Sequence, residues 1–142
     1  MKIIIITGQK ASGKSTYLKN LVKDDFDGLI TSCIDRNTRK YQFELIKTKK
    51  KIDCCYYDNG MKFNENGFEL VNNYLSEIDK YFIIIDEIGW LELESKGLYK
   101  GLTSLLSNEK IEKLYISMRY DIYDKLIKKF GILKYELIDL SL

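Results

Sequence analysis

Four consecutive isoleucines, Ile3 to Ile6, run without a break into Thr7-Gly8-Gln9-Lys10-Ala11-Ser12-Gly13-Lys14-Ser15-Thr16. A β-branched run without polar alternation reads as a strand buried on both faces, which belongs inside a parallel sheet. The next stretch fits Gly, four free positions, Gly-Lys, then Ser or Thr, a pattern whose amides cradle phosphates. Beyond it, Leu18, Leu21 and Val22 give a helix a buried face. Strand, glycine-rich turn and helix in that order point to an α/β fold with its ligand at the carboxyl ends of the strands.

Each residue type in the turn has a task. Gly8 and Gly13 permit dihedrals and a close backbone approach that a Cβ would obstruct. The amides of Gln9, Lys10, Ala11 and Ser12 line an anion nest, and the first helical turn, with Lys14, Ser15 and Thr16, adds unpaired N–H groups. Lys14 is expected to reach the β- and γ-phosphates, and Ser15 to place its hydroxyl on Mg²⁺. Lys10 and Ser12 sit at variable positions, where solvated or locally capping side chains are expected.

The remaining composition narrows the chemistry. There is no histidine, which excludes histidine acid–base catalysis and histidine metal ligation. Cys33, Cys54 and Cys55 have no zinc-site spacing and read as reduced, mostly buried residues of a cytoplasmic protein. No leader pattern and no apolar run of membrane-spanning length occurs, so no membrane contact is expected. The 142 residues suit one domain, 1–142, and the net charge is only +2. Lys47, Lys49, Lys50 and Lys51 form the densest basic cluster, read as a solvated edge or hairpin rather than a nucleic-acid contact. Arg36, Arg39 and Arg119 are the only candidates for an arginine clamp on a transferring phosphoryl group.

Strands are expected over residues 2–7, 29–34, 41–46, 51–57, 82–85, 113–117 and 133–138. Helices are expected over 14–23, 63–81 (centred on 67–79), 95–106 and 121–129. Three successive strands without an intervening helix imply a mixed or antiparallel addition at one sheet edge. Asp58-Asn59-Gly60 marks a turn. Gly97 and Gly101 weaken their helix and suggest close backbone packing.

The second half of the site begins where Phe82-Ile83-Ile84-Ile85 runs into Asp86-Glu87. Asp86 is placed to hold Mg²⁺ through coordinated water, and Glu87 to orient or deprotonate an attacking water. The bland alternative is that both cap the following turn. Glu92 or Glu94 is expected near the γ-phosphate or paired with Arg36 or Arg39. Trp90 either stacks on a base or packs under the sheet edge. Ser117 and Arg119 follow another strand, as a hydroxyl sensing water or γ-phosphate and a charge clamp; Arg119 as a plain surface residue is the alternative.

These stretches carry a resemblance. Gly8 to Thr16, followed by Asp86-Glu87-Ile88-Gly89-Trp90-Leu91-Glu92-Leu93, resembles the small P-loop nucleoside-triphosphatases first described in thermophiles, also called the cancer-related nucleoside-triphosphatase family. Gly28-Leu29-Ile30-Thr31 with Arg36 and Arg39, and Asn64 to Glu69, are similar to further stretches of that family. The resemblance spans nearly the whole chain. It implies a three-layer P-loop fold with a RecA-like, mostly parallel sheet, and Mg²⁺-dependent hydrolysis of ATP, GTP and other nucleoside triphosphates, slow and loose in base choice. Ser117-Met118-Arg119-Tyr120 stands where family members carry a histidine with arginines, so any role of that histidine lapses. A small-molecule or nucleoside kinase, or a nucleotide-gated binding protein that needs a protein or nucleic-acid partner, are the competing readings.

Overall fold

The computed structural model describes residues 1–141. Its elements run β1 (Lys2–Thr7), α1 (Lys14–Leu21), β2 (Phe26–Asp35), β3 (Lys40–Leu45), β4 (Lys51–Tyr57), β5 (Met61–Phe63), α2 (Glu65–Ser76), β6 (Phe82–Ile88), α3 (Trp90–Leu93), α4 (Tyr99–Leu106), β7 (Lys113–Met118), α5 (Tyr123–Lys129) and β8 (Glu136–Asp139). The strands form one sheet in the order β5-β4-β3-β2-β6-β7-β1-β8. From β2 to β8 in that order every pairing is parallel, whereas β3, β4 and β5 are added antiparallel beyond β2. The expected mixed edge is therefore present.

Helices cover both faces, giving three layers. Ile5, Ile83, Ile85 and Ile116 pack on one face with Phe68, Val71 and Leu75 of α2, Leu102 and Leu105 of α4, and Leu126 of α5. On the other face Ile4, Ile6, Ile30 and Ile84 meet Leu18 of α1. The isoleucine runs thus split alternately between two cores, each side chain contributing about 1.5–3 kcal/mol on full burial. Gly28 has φ +112°, and a Cβ there would lie 1.9 Å from the Ile84 carbonyl oxygen. Only glycine lets β2 approach β6 so closely at this point. Gly101 likewise sits against Leu75 and Asn72 of α2, which is the close packing its sequence suggested.

Several boundaries differ from the sequence expectation. Phe63 belongs to β5, paired with Cys55, so α2 starts only at Glu65 and stops at Ser76. The apolar spacing over 95–106 holds only from Tyr99, because Ser95 and Gly97 both have positive φ and Trp90–Leu93 makes a separate short helix. The last strand begins at Glu136, not at 133. The lysines of residues 47–51 lie in the β3–β4 hairpin, with Lys49 at positive φ, as read. No helix among the described residues is long and apolar enough to cross a membrane.

Candidate functional site

β7 lies between β1 and β6, and the ends of these three strands build the site. From β1 the chain enters the glycine-rich turn, closed by a hydrogen bond from the Ser12 amide to the Gln9 carbonyl (3.0 Å). Ala11 (φ 63°) and Gly13 (φ 91°) both take left-handed backbone. That alternation aims successive amides inward before α1 starts, and the first-turn amides of a helix have no intrahelical partner. Residues Ala11, Ser12, Gly13, Lys14, Ser15 and Thr16 line an open concavity of about 230 Å³. Gln9 and Lys10 are exposed beside it. The Ser12 hydroxyl is buried against Gly8 without a hydrogen-bond partner among the described residues, so it packs the turn rather than capping it.

Asp86 stands at the centre and is only 2% exposed. Its Oδ2 accepts from Ser15 Oγ (2.9 Å) and from the Thr31 amide (3.3 Å), and its Oδ1 accepts from Ser117 Oγ (2.6 Å). The Thr31 hydroxyl donates to the Asp86 carbonyl. Three strands (β6 itself, β2 and β7) and helix α1 thus aim one carboxylate. Burial pushes its pKa up, while the bonds from Ser117, Ser15 and Thr31 and the nearby Lys14 pull it back. Ser117 is brought to the site as expected, but its hydroxyl serves Asp86 rather than standing free as a sensor. Thr31 is a residue that sequence reasoning left without a role; its only signal was membership of the Gly28-Leu29-Ile30-Thr31 stretch.

Glu87 points elsewhere. β6 leaves its register with β7 between Ile85 and Ile88, which turns the Glu87 carboxylate to Lys14, with Oε2 at 3.3 Å from Nζ. The same ammonium donates to the Gly8 carbonyl (2.9 Å). Desolvation raises the Glu87 pKa, opposed by Lys14, with Asp86 adding to the rise and Arg119 working against it. Unlike Asp86, the Glu87 side chain is 34% exposed, so water reaches it.

Glu92 does not join this group. It is buried, and its two oxygens accept from the amides of Gly89 (2.7 Å) and Leu98 (2.9 Å). The expectation of Glu92 at the γ-phosphate is therefore corrected: its two oxygens are already taken by the residues that precede α3 and α4. Glu94 pairs with Lys96, and Arg39 lies over the Tyr57 ring, so neither acid meets Arg36 or Arg39. Arg119 passes over Gly89, where a Cβ would lie 2.9 Å from its Cδ, and binds Asp121 through Nε and Nη2, both at 3.2 Å. The Asp121 carboxyl is held below its ordinary value chiefly by that hydrogen bond. Trp90 is 48% exposed. Of the cysteines, Cys54 is buried but Cys33 is exposed.

A phosphate cradle with Lys14, Ser15, Asp86 and Glu87 converging on it is the arrangement of a P-loop enzyme. Residues 3–139 match the family model described as NTPase. The chain belongs to this NTPase family. It is a nucleoside-triphosphate-binding and -hydrolysing enzyme of the P-loop class. No curated protein matches the chain. Among solved structures it is similar to the crystal structure of THEP1 from the hyperthermophile Aquifex aeolicus, with a TM-score of 0.73 and 23% identity over 98% of this chain and 90% of that one. At that identity the likeness speaks for the fold, and it places this NTPase among RecA-like P-loop architectures.

Proposed function

We propose that the enzyme hydrolyses nucleoside 5'-triphosphates to the diphosphate and phosphate with Mg²⁺, slowly and with loose base choice. The observation that carries this reading is the division of labour between two adjacent acids: Asp86 is buried and held by Ser15, Ser117 and Thr31, while Glu87 faces Lys14 and solvent. Mg²⁺ keeps several waters and takes one or two protein oxygens plus substrate phosphates, and the Ser15 hydroxyl beside the Asp86 carboxylate offers such oxygens. Ser15 Oγ and, through water, Asp86 would hold it; when bound it neutralises charge between the phosphates and keeps Asp86 ionised.

The residues of the chain supply the rest. The amides of residues 9–16 bind and orient the phosphates, and Lys14 moves its charge from Glu87 to the β- and γ-phosphates. Glu87, freed of its partner, holds a water in line with the γ-phosphorus and accepts its proton as the bond to the bridging oxygen breaks. The diphosphate leaves with that oxygen's electron pair. Arg119 lies near Glu87 but is bound to Asp121 and half exposed. An arginine fully engaged with the γ-phosphate accelerates such reactions about 10³–10⁵-fold, and its diversion here supports slow turnover. Glu92 is a positioning residue that shapes the loop carrying Gly89 beneath Arg119.

Phosphate release from purified protein, with each of the four common ribonucleoside triphosphates, tests this reading. Release with all four, stopped by chelating Mg²⁺, is the expected result. Release that starts only when a nucleoside or metabolite acceptor is added would instead mark a kinase.

A further inference from the structure

β4 breaks its own alternation at Cys54-Cys55. Gln42 of β3 pairs with Asp53 and Tyr41 with Cys55, so Cys54 is the extra residue of a β-bulge. Successive side chains of a regular strand leave on opposite faces, whereas a bulge sets two residues against one and re-aims a side chain. Gln42 and Asp53 meet on the exposed side, with Nε2 to Oδ1 at 2.8 Å. Cys54 is buried in the core that α2 covers, and Cys55 and Tyr41 pack against that same core. Both thiols therefore share one face. The hydrogen bond from the Cys54 thiol to Cys55 pushes the Cys54 pKa up, with burial adding to the rise, and pulls that of Cys55 down.

A disulfide does not suit this pair. Consecutive Cα atoms lie about 3.8 Å apart, short of the roughly 4.4–6.8 Å that a disulfide spans, and both cysteines are free. A structural zinc site or an iron–sulfur cluster takes about four cysteine or histidine ligands, and this chain has three cysteines and no histidine. The third, Cys33, stands in the same row beyond Tyr41, two strand spacings or roughly 10 Å from Cys55. A soft ion satisfied by two thiolates is left, and among first-row metals that is monovalent copper. Cys55 is half-buried and lies one strand in from the sheet edge at β5, which gives the ion a way in.

We propose that Cys54 and Cys55 form a binding site for one monovalent copper ion. Each sulfur gives up its proton to solvent as its bond to copper forms, and the metal keeps its oxidation state. Anaerobic competition for Cu(I) between the full chain and the chromophoric chelator bicinchoninate tests it. Wild type should withhold one copper per chain, and Cys33→Ser should do the same. Cys55→Ser should lose that equivalent while keeping the wild-type circular dichroism spectrum. Cys54→Ala should lose it as well; because Cys54 is buried, Cys55→Ser carries the test should Cys54→Ala not fold. A wild type that leaves all the copper with the chelator overturns the proposal. So does a folded Cys55→Ser that still withholds one equivalent, or a Cys33→Ser that loses it.

Discussion

Two acidic neighbourhoods sit a few residues apart along the chain, and burial raises the carboxyl pKa in both. Around Glu92 both partners are main-chain amides, that of Gly89 ahead of α3 and that of Leu98 ahead of α4. Around Glu87 the partner is Lys14, a mobile side chain whose charge belongs to the phosphate cradle. The first arrangement cannot be exchanged without moving backbone; the second is undone whenever a better anion arrives. Burial and a raised pKa therefore do not separate a scaffold acid from a reactive one. The exchangeability of the partner does.

The largest effect should come from Lys14→Ala, which removes the charge shared between Glu87 and the phosphates. A charge-assisted hydrogen bond is worth up to about 3 kcal/mol, so triphosphate affinity should fall on the order of 100-fold. Titration with a fluorescent nucleotide analogue checks this, and near-normal binding would break the assignment of Lys14. Asp86→Asn should come next. Nucleotide binding without metal should survive, while Mg²⁺-dependent turnover should fall roughly 100-fold, within the span that positioned catalytic groups supply. Ordinary metal dependence in that variant would remove Asp86 from the cation site.

Glu92→Gln should act on the other side of the comparison. Its amide group opposes one of two backbone donors, which costs about 1–3 kcal/mol and should lower Tm by several degrees, with turnover per folded molecule within a few-fold of wild type. The sign of the pH effect follows from the raised pKa. The folded chain keeps the Glu92 proton at a pH where the unfolded chain has lost it. The stability tied to that proton is present below about pH 4.3, the unfolded value, and is lost as pH rises through the folded one. Thermal melts across the mildly acidic range should show this fall in wild type and a shallower one in Glu92→Gln. Lost turnover with unchanged Tm would mean that Glu92 is no scaffold. The smallest effect should come from Asp121→Asn, which releases Arg119 from an exposed pair worth less than about 1 kcal/mol. Turnover should rise a few-fold with KM unchanged. A fall would show that Asp121 holds Arg119 in its useful place.

The centre of the parallel half was legible because β1 and β6 carry unbroken isoleucine runs with no reading except burial on both faces. Residues 82–85 running into Asp86-Glu87 likewise announced a site, since charge at the end of a buried strand requires partners. The antiparallel side was less open. β5 is three exposed residues, too short for any periodicity, and Phe63 could extend the apolar spacing of α2 as well as pair with Cys55. Glu92 was misplaced for a different reason. An acid three residues after Gly89 reads equally as a ligand for phosphate or for the amides of its own loop, and only the fold brings the Leu98 amide within 2.9 Å. Thr31 was silent because a threonine inside a strand has no signature of its own; the pairing of β2 beside β6 puts it against Asp86.

Single-turnover hydrolysis of prebound ATP or GTP in wild type and Glu87→Gln, with affinity measured separately, tests the central claim most directly. Glutamine keeps the shape and hydrogen-bond reach of the side chain and removes its charge and basicity. Nucleotide and Mg²⁺ affinity should stay within a few-fold, while the hydrolysis rate should fall roughly 10²-fold or more, the usual scale for a positioned proton acceptor. Hydrolysis at the wild-type rate in a folded Glu87→Gln protein that still binds nucleotide would contradict the account and leave Glu87 as no more than a resting partner for Lys14.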